Sequence, residues 1–265
     1  MADAGDGRLA FDEDVENYDR WRPRYCEALF SDIVAYARLG EGKRALEIGC
    51  GTGQATEPFL KTGCGVTAVE YGPNLATCVR EKFWHNPAFQ VCNMEFETFS
   101  APPASFDLIY AATSFHWISD EVGYKQIHDL LKNGGAVALF WNKPFVARGD
   151  DHLHRRIQDL YDRYALDGER PAVEAPIEHD EEKYQRRSDA LKQYGFTDVE
   201  CRLYRQTRKF AARDYVSLLN TYSDHRAMRL SSRLRFEEDI IAVIDEFGGV
   251  LTIYDTMDLH LGRKA

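Results

Sequence analysis

The chain has 265 residues, 44% of them hydrophobic and 29% charged, and its 43 acidic residues against 33 basic ones give a formal net charge of −10. That is the composition of an ordinary globular chain long enough to bury a substantial core, and it excludes collagen-like, disordered and disulfide-scaffold classes. The acidic balance lacks the basic footprint of a nucleic-acid binder, and no stretch approaches the roughly 20 apolar residues that span a bilayer.

Residues 1–15 are acidic and Gly/Ala-rich, with no apolar run of a secretory signal. The first eleven are expected to form a mobile tail. Four of the six cysteines, Cys50, Cys64, Cys78 and Cys92, fall at a spacing of fourteen that matches no metal-ligand pattern. Together with Cys26 and Cys201 they read as reduced thiols of a cytoplasmic protein. His152 and His154 diverge on a helix and His179 is remote, so no metal site is expected.

In chain order, helical spacing covers residues 17–39, with Pro23 suited to a first turn and Gly40 and Gly42 as the stop. Strands are expected at 44–48, 65–70, 89–92, 106–111 and 136–141. Helices are expected between them at 52–62, 73–83 and 122–131, the first weakened by Pro58. The strands are almost continuously apolar, the mark of a sheet covered on both faces. Their alternation with helices predicts a doubly wound, mostly parallel α/β sheet. Beyond Trp141 the pattern predicts helices at 153–164 and 182–194, a strand at 199–204, helices at 213–222 and 230–247, and a last strand at 250–261. The expected organisation is a single domain over 1–265. It has an N-terminal helical segment at 12–40, a cofactor-binding half at 41–145, a helical insertion at 146–195, and a helical cap at 205–249.

The strongest motif is Glu47-Ile48-Gly49-Cys50-Gly51-Thr52-Gly53-Gln54, set between an expected strand and an expected helix. Glycines there permit a tight turn and close backbone approach, and the helix start offers free N–H groups. A nicotinamide-type loop spaces its glycines G-x-G-x-x-G, whereas Gly53 stands one residue early and Gln54 fills the later position. Glu70 ends the second strand, 17 residues after Gly53, where an acid accepts hydrogen bonds from the ribose hydroxyls of an adenosine.

This loop resembles motif I, E/D-x-G-x-G-x-G, of class I S-adenosylmethionine-dependent methyltransferases. Gly72-Pro73-Asn74-Leu75 resembles the S-P-x-M turn of that family, and Phe106-Asp107-Leu108-Ile109 its motif II. Leu130-Leu131-Lys132-Asn133-Gly134-Gly135 is similar to its L-x-P-G-G turn. Tyr18-Asp19-Arg20-Trp21-Arg22-Pro23-Arg24-Tyr25 and Ala111-Ala112-Thr113-Ser114-Phe115-His116-Trp117 are similar to segments of the small-molecule subgroup that includes trans-aconitate methyltransferase. Thr221-Tyr222-Ser223-Asp224-His225-Arg226 is similar to a stretch of that subgroup's cap. The resemblance implies a seven-stranded sheet with one antiparallel strand and a helical cap.

It also implies S-adenosylmethionine as cofactor, S-adenosylhomocysteine as product, and a small-molecule acceptor with a carboxylate among the candidates. Cofactor contacts are expected from Tyr18, Arg22, Glu47, Gly49, Cys50, Gly51, Gly53, Gln54, Glu70, Tyr71, Leu75, Met94, Glu95, Phe96 and Ala112. Arg22 faces the methionyl carboxylate, Tyr18 closes the pocket, and Glu95 meets the adenine amino group; the competing reading makes Arg20, Arg22 and Arg24 a solvated face. Trp21, Phe115, His116, Trp117, Trp141, Tyr222 and His225 are the acceptor-side candidates, with Asn142 beside Trp141. His116 is either a general base or an orienting residue. A non-catalytic adenosine-binding module and a nicotinamide-dependent oxidoreductase are the rival readings. The expected protein is a monomer or homodimer that engages neither nucleic acid nor membrane.

Overall fold

Seven strands form one sheet: β1 (Arg44–Ile48), β2 (Gly65–Glu70), β3 (Phe89–Asn93), β4 (Phe106–Ala112), β5 (Leu131–Phe145), β6 (Phe196–Ala211) and β7 (Val250–Lys264). These come from a computed structural model that describes Leu9 and residues 11–145, 151–164 and 179–265. The tail expected over 1–8 and at 10, and the parts of the expected insertion at 146–150 and 165–178, lie outside the described residues. The strand order is β3-β2-β1-β4-β5-β7-β6. β7 runs antiparallel to both of its neighbours, and the other ladders are parallel.

The two-residue period of the strands sorts side chains onto two faces. In β4, Leu108 and Tyr110 join one core with Leu29, Phe30 and Phe59, while Ile109 and Ala111 join another with Tyr124, Ile127 and Leu191. Both faces are therefore dry, which is why these strands carry almost no polar alternation. The first face is covered by α2 (Glu27–Ala37) and α3 (Thr56–Leu60), and the second by α5 (Asp120–Leu130) and α7 (Glu181–Gln193). A third core lies under α6 (His152–Tyr164), α8 (Ala212–Leu219) and α10 (Leu230–Glu246), with Phe236, Ile240 and Leu218 at its centre. No helix among the described residues is long and apolar enough to cross a membrane.

Several local expectations need correction. The helix expected at 17–39 is two helices, α1 (Val15–Trp21) and α2. Arg22 takes an extended conformation (ψ 141°), as steric conflict with the ring of Pro23 requires, so Pro23 sits in the break and not in a first turn. The helix expected at 52–62 contracts to α3, and Pro58 falls in its first turn, where a missing N–H costs nothing. The strand expected at 199–204 is the long edge strand β6, whose exposed charged residues conceal the period from a hydropathy reading. The last strand extends to Lys264, three residues past its expected end.

β5 also runs past its expected end. Its partner β4 stops at the Ala112–Phe140 pairing, and Asn142 to Phe145 pair only with β7. Pro144, which has no N–H to offer, occupies that one-sided stretch.

Candidate active site

Beyond the carboxyl ends of β1, β2 and β4 lies a cavity of about 310 Å³, at the edge where open α/β sheets bind ligands. The loop after β1 forms its floor. Gly49 has φ +68°, and a Cβ there would stand 2.7 Å from Ser114 Cβ, so only glycine lets the loop after β4 come this close. Gly51 N–H donates to Glu70 Oε2 at 2.7 Å, and Gly72 N–H donates to Glu70 Oε1 at 2.9 Å. The Glu70 carboxyl is buried, which pushes its pKa up against the pull of those two donors.

Of the fifteen residues expected on the cofactor side, all but Gly53 line this cavity. Gly53 sits with φ +87°, and a Cβ there would lie 2.6 Å from the Phe83 ring. It is needed for packing against α4 (Pro73–Lys82).

The roof comes from the N-terminal segment. Arg22 is half-buried, while Arg20 and Arg24 are exposed, which separates the cavity residue from a solvated arginine face. The Arg22 guanidinium lies 5.0 Å from the ring centres of Phe11 and Tyr18 and 4.8 Å from that of Tyr222. Its Nη2 donates to the Thr221 carbonyl at 3.0 Å. Phe11 was expected in a mobile tail; it lines the cavity and bridges Tyr18 and Trp117 edge-on, 6.2 Å from each ring.

The segment is anchored next to Phe11. Asp12 is buried, its Oδ1 accepting from Leu75 N–H at 2.8 Å and its Oδ2 from Asn74 N–H at 3.2 Å. A carboxylate from a distant part of the chain thus caps α4, whose own cap position is Gly72. A Cβ on Gly72 would stand 2.5 Å from Asp12 Oδ1. The glycine at the place where the resembling turn has serine therefore makes room for this contact.

Three buried polar atoms of residues on the cavity wall have no partner among the described residues: Arg22 Nε, Glu47 Oε1 and Asn142 Oδ1. Glu47 is fully buried, and its other oxygen accepts from Thr56 Oγ1 at 2.5 Å and Tyr110 Oη at 2.9 Å. Burial outweighs these bonds and raises its pKa to about 7. The Asn142 amide orientation follows from its neighbour: Nδ2 donates to the Asp255 carboxylate at 3.1 Å, so Oδ1 is the atom left over.

The acceptor-side candidates divide. His116, Trp117 and Tyr222 line the cavity. Phe115 is core, 4.9 Å from the Tyr124 ring. Trp21 packs on Phe210 at 6.3 Å. His225 is buried, with its ring nitrogen 3.0 Å from Tyr161 Oη. Successive helical side chains diverge, and in the short helix α9 (Ser223–Arg226) it is Asp224 that reaches the cavity. Trp141 lines an adjoining cavity, and its Nε1 donates to His116 Nδ1 at 3.4 Å.

Tyr25, within the Arg-Pro-Arg-Tyr stretch, and Thr113 belong to the wall and were not expected there. Thr113 has φ +55°, an uncommon conformation for a β-branched residue. Its Oγ1 lies 2.6 Å from Tyr25 Oη and accepts Asn142 N–H at 3.2 Å, which ties the N-terminal segment to β5.

A family of sequences described as a methyltransferase domain matches residues 46–139. An uncharacterized methyltransferase of Geobacillus sp. (strain WCH70) is 30% identical over 58% of this chain and 71% of its own. The chain belongs to the class I S-adenosylmethionine-dependent methyltransferases. A malonyl-[acyl-carrier protein] O-methyltransferase of Paenibacillus sp. (strain JDR-2) is 24% identical over 83% of this chain and 82% of its own. Among solved structures, a candidate type II methyltransferase from Anaeromyxobacter dehalogenans matches with a TM-score of 0.64 at 21% identity, covering 91% of this chain and 97% of that one. This methyltransferase thus shares its fold with a solved structure that diverges widely from it in sequence.

Two outcomes test the site. Glu47 has a folded-state pKa above its unfolded value, so its stabilising contribution is complete below about pH 4.5 and is lost as pH rises through about 7. In urea melts between pH 5 and 8, Glu47→Gln removes a pH-dependent loss of about 3 kcal/mol; an unchanged slope contradicts the assignment. Asp12→Ala lowers stability by about 1 kcal/mol, the usual effect of losing a helix cap. It also speeds tryptic cleavage at Arg20 and Arg24, which unaltered cleavage kinetics would refute.

Proposed function

We propose that the enzyme transfers the methyl group of S-adenosylmethionine to a small-molecule acceptor, with a carboxylate as the reacting group, and leaves S-adenosylhomocysteine. The observation that carries this reading is the pairing of an unsatisfied buried donor, Arg22 Nε, with an unsatisfied buried acceptor, Glu47 Oε1, on the walls of one cavity. An amino-acid end, carboxylate and ammonium together, answers both. Buried polar atoms without partners are costly in a folded protein and call for an occupant.

The remaining contacts follow the walls. Gly49, Cys50, Gly51 and Gln54 offer backbone and side-chain contacts beside Tyr18 and Ala112. Glu70, Tyr71 and Leu75 stand where a ribose is held, and Met94, Glu95 and Phe96 where an adenine is held. The cofactor supplies a methyl already activated on a sulfonium. The protein has to align the acceptor with it and exclude water. Tyr18, Phe11 and Trp117 form an aromatic roof suited to exclusion.

His116 is suited to orienting rather than to taking a proton. Burial and the nearby Lys183 and Arg187 charges lower its pKa, which makes the ring a weaker base. Its Nδ1 accepts from Trp141, which leaves the hydrogen on Nε2. A carboxylate acceptor is a nucleophile without deprotonation and requires no base. The Paenibacillus relative is named a malonyl-[acyl-carrier protein] O-methyltransferase; O-methylation agrees with a carboxylate as reacting group, although that relative's acceptor is borne on a carrier protein.

Calorimetry with S-adenosylhomocysteine tests the cofactor side. Arg22→Ala weakens its binding at least tenfold, about 1.4 kcal/mol, and unchanged affinity would sink the role. Under methyl transfer to a panel of small carboxylates, His116→Ala keeps kcat within tenfold and raises KM. A loss of several orders of magnitude in kcat would instead make His116 an essential base.

A further inference from the structure

A second cavity, of about 260 Å³, adjoins the first and shares Asn142 and Pro144 with it. Its walls carry three cations, Lys143, Lys183 and Arg187, against two carboxylates, Asp180 and Asp258. Both carboxylates are already engaged. Asp258 is ion-paired with Arg187 and lies 3.2 Å from His260 Nε2. Asp180 caps α7, accepting Lys183 N–H at 2.9 Å. The Lys143 and Lys183 ammonium groups form no ion pair with any described residue. In a chain of net charge −10, this is a local excess of positive charge inside a concavity.

Lys143 and Lys183 are exposed at the cavity rim, and two further features set the arrangement apart from a chance cluster of surface cations. Thr256 is 3% exposed, lines the same cavity, and its Oγ1 has no hydrogen-bond partner among the described residues. Across the β5–β7 ladder Lys143 pairs with Thr256 and Trp141 with Asp258. The two-residue step puts both pairs on one face of the sheet, so hydroxyl and ammonium arise side by side. Lys183 stands in the first turn of α7, where the helix dipole disfavours a cation, so helix formation does not account for it.

The wall is also coupled to the methyl-transfer cavity. The Arg187 guanidinium lies 3.4 Å from the Trp141 ring centre, and Trp141 Nε1 donates to His116 Nδ1. We infer that the second cavity is an anion subsite for the methyl acceptor. It holds a carboxylate or phosphate group through Lys143, Lys183 and Thr256, while the acceptor's reacting atom lies in the first cavity beside Asn142 and His116. This rests on the methyltransferase reading of the first cavity, and it selects acceptors with a second anionic group over neutral amines and alcohols.

The test titrates citrate and, separately, inorganic phosphate into the enzyme saturated with S-adenosylhomocysteine, reading tryptophan fluorescence against chloride at matched ionic strength. The expected result is saturable binding of at least one anion. It weakens more than tenfold in the Lys143→Gln/Lys183→Gln double variant and several-fold in Thr256→Val, with S-adenosylhomocysteine affinity unchanged within twofold. Citrate without phosphate points to a carboxylate, and the reverse to a phosphate. Absence of anion binding in an enzyme that binds S-adenosylhomocysteine, or binding that survives in the double variant, overturns the subsite. Failure to bind S-adenosylhomocysteine is a separate failure, of the cofactor reading. The same anion series without it then decides the subsite alone.

Discussion

The site depends on where the Glu70 carboxylate is placed. A buried carboxylate must be hydrogen-bonded or it is very costly, and Glu70 is satisfied by the backbone N–H groups of Gly51 and Gly72, one from each flanking loop. The Glu70 carbonyl in turn accepts Met94 N–H at 3.0 Å and Asn93 Nδ2 at 2.8 Å. One residue thereby joins the loops after β1, β2 and β3 into a single floor. With Gly72 drawn in toward Glu70, the start of α4 is left without a side-chain cap of its own, and Asp12 fills that gap. The N-terminal roof is in this sense a consequence of the floor: the contact that orders the loops also creates the docking point for the segment above them.

What could be read from the amino-acid sequence follows from the range of the forces involved. The strands β1, β2 and β4 were legible because a doubly covered sheet demands apolar residues on both faces, and the glycine loop because its backbone conformation demands glycine at fixed spacing. Glu47 and Glu70 stood in these local patterns and Met94 to Phe96 directly after β3, so all of them were found at the cavity. β6 was underestimated because an edge strand needs only half of its side chains buried. Phe11, Asp12 and Thr113 were missed for another reason. Each acts through a partner distant in sequence (Trp117, Leu75 and Tyr25), and no local pattern records such a pairing. His225 and Trp21 erred the opposite way: aromatic and imidazole groups serve a core as readily as a pocket, and motif similarity does not give the direction of a side chain.

Charge is distributed to match this division of labour. The acidic excess of the whole chain concerns solubility, whereas the cavities hold a few groups set against one another. Glu47 and Arg22 each leave one atom unsatisfied. Asp255 is held by Arg208 and in turn orients the Asn142 amide. Arg208, Asp255 and Asn142 thus form a relay from the edge of the sheet to the wall between the two cavities, and the positions of β6, β7 and β5 govern the Asn142 amide on that wall.

That wall exists because β5 outruns β4. Past the Ala112–Phe140 pairing the strand has a ladder on one side only, and toward β4 its Asn142 N–H donates to the Thr113 hydroxyl. Backbone that would otherwise be buried in a ladder is free to border open space on the other side. Asn142 and Pro144 stand at this one-sided stretch and face both cavities. Had β4 continued, the space would be sheet. Had β5 stopped with it, Lys143 would have no fixed register opposite Thr256. The mismatch in strand length therefore separates and connects the two chambers at once. It places the Asn142 amide and the Lys143 cation on adjacent residues, directed to opposite faces by the pleat.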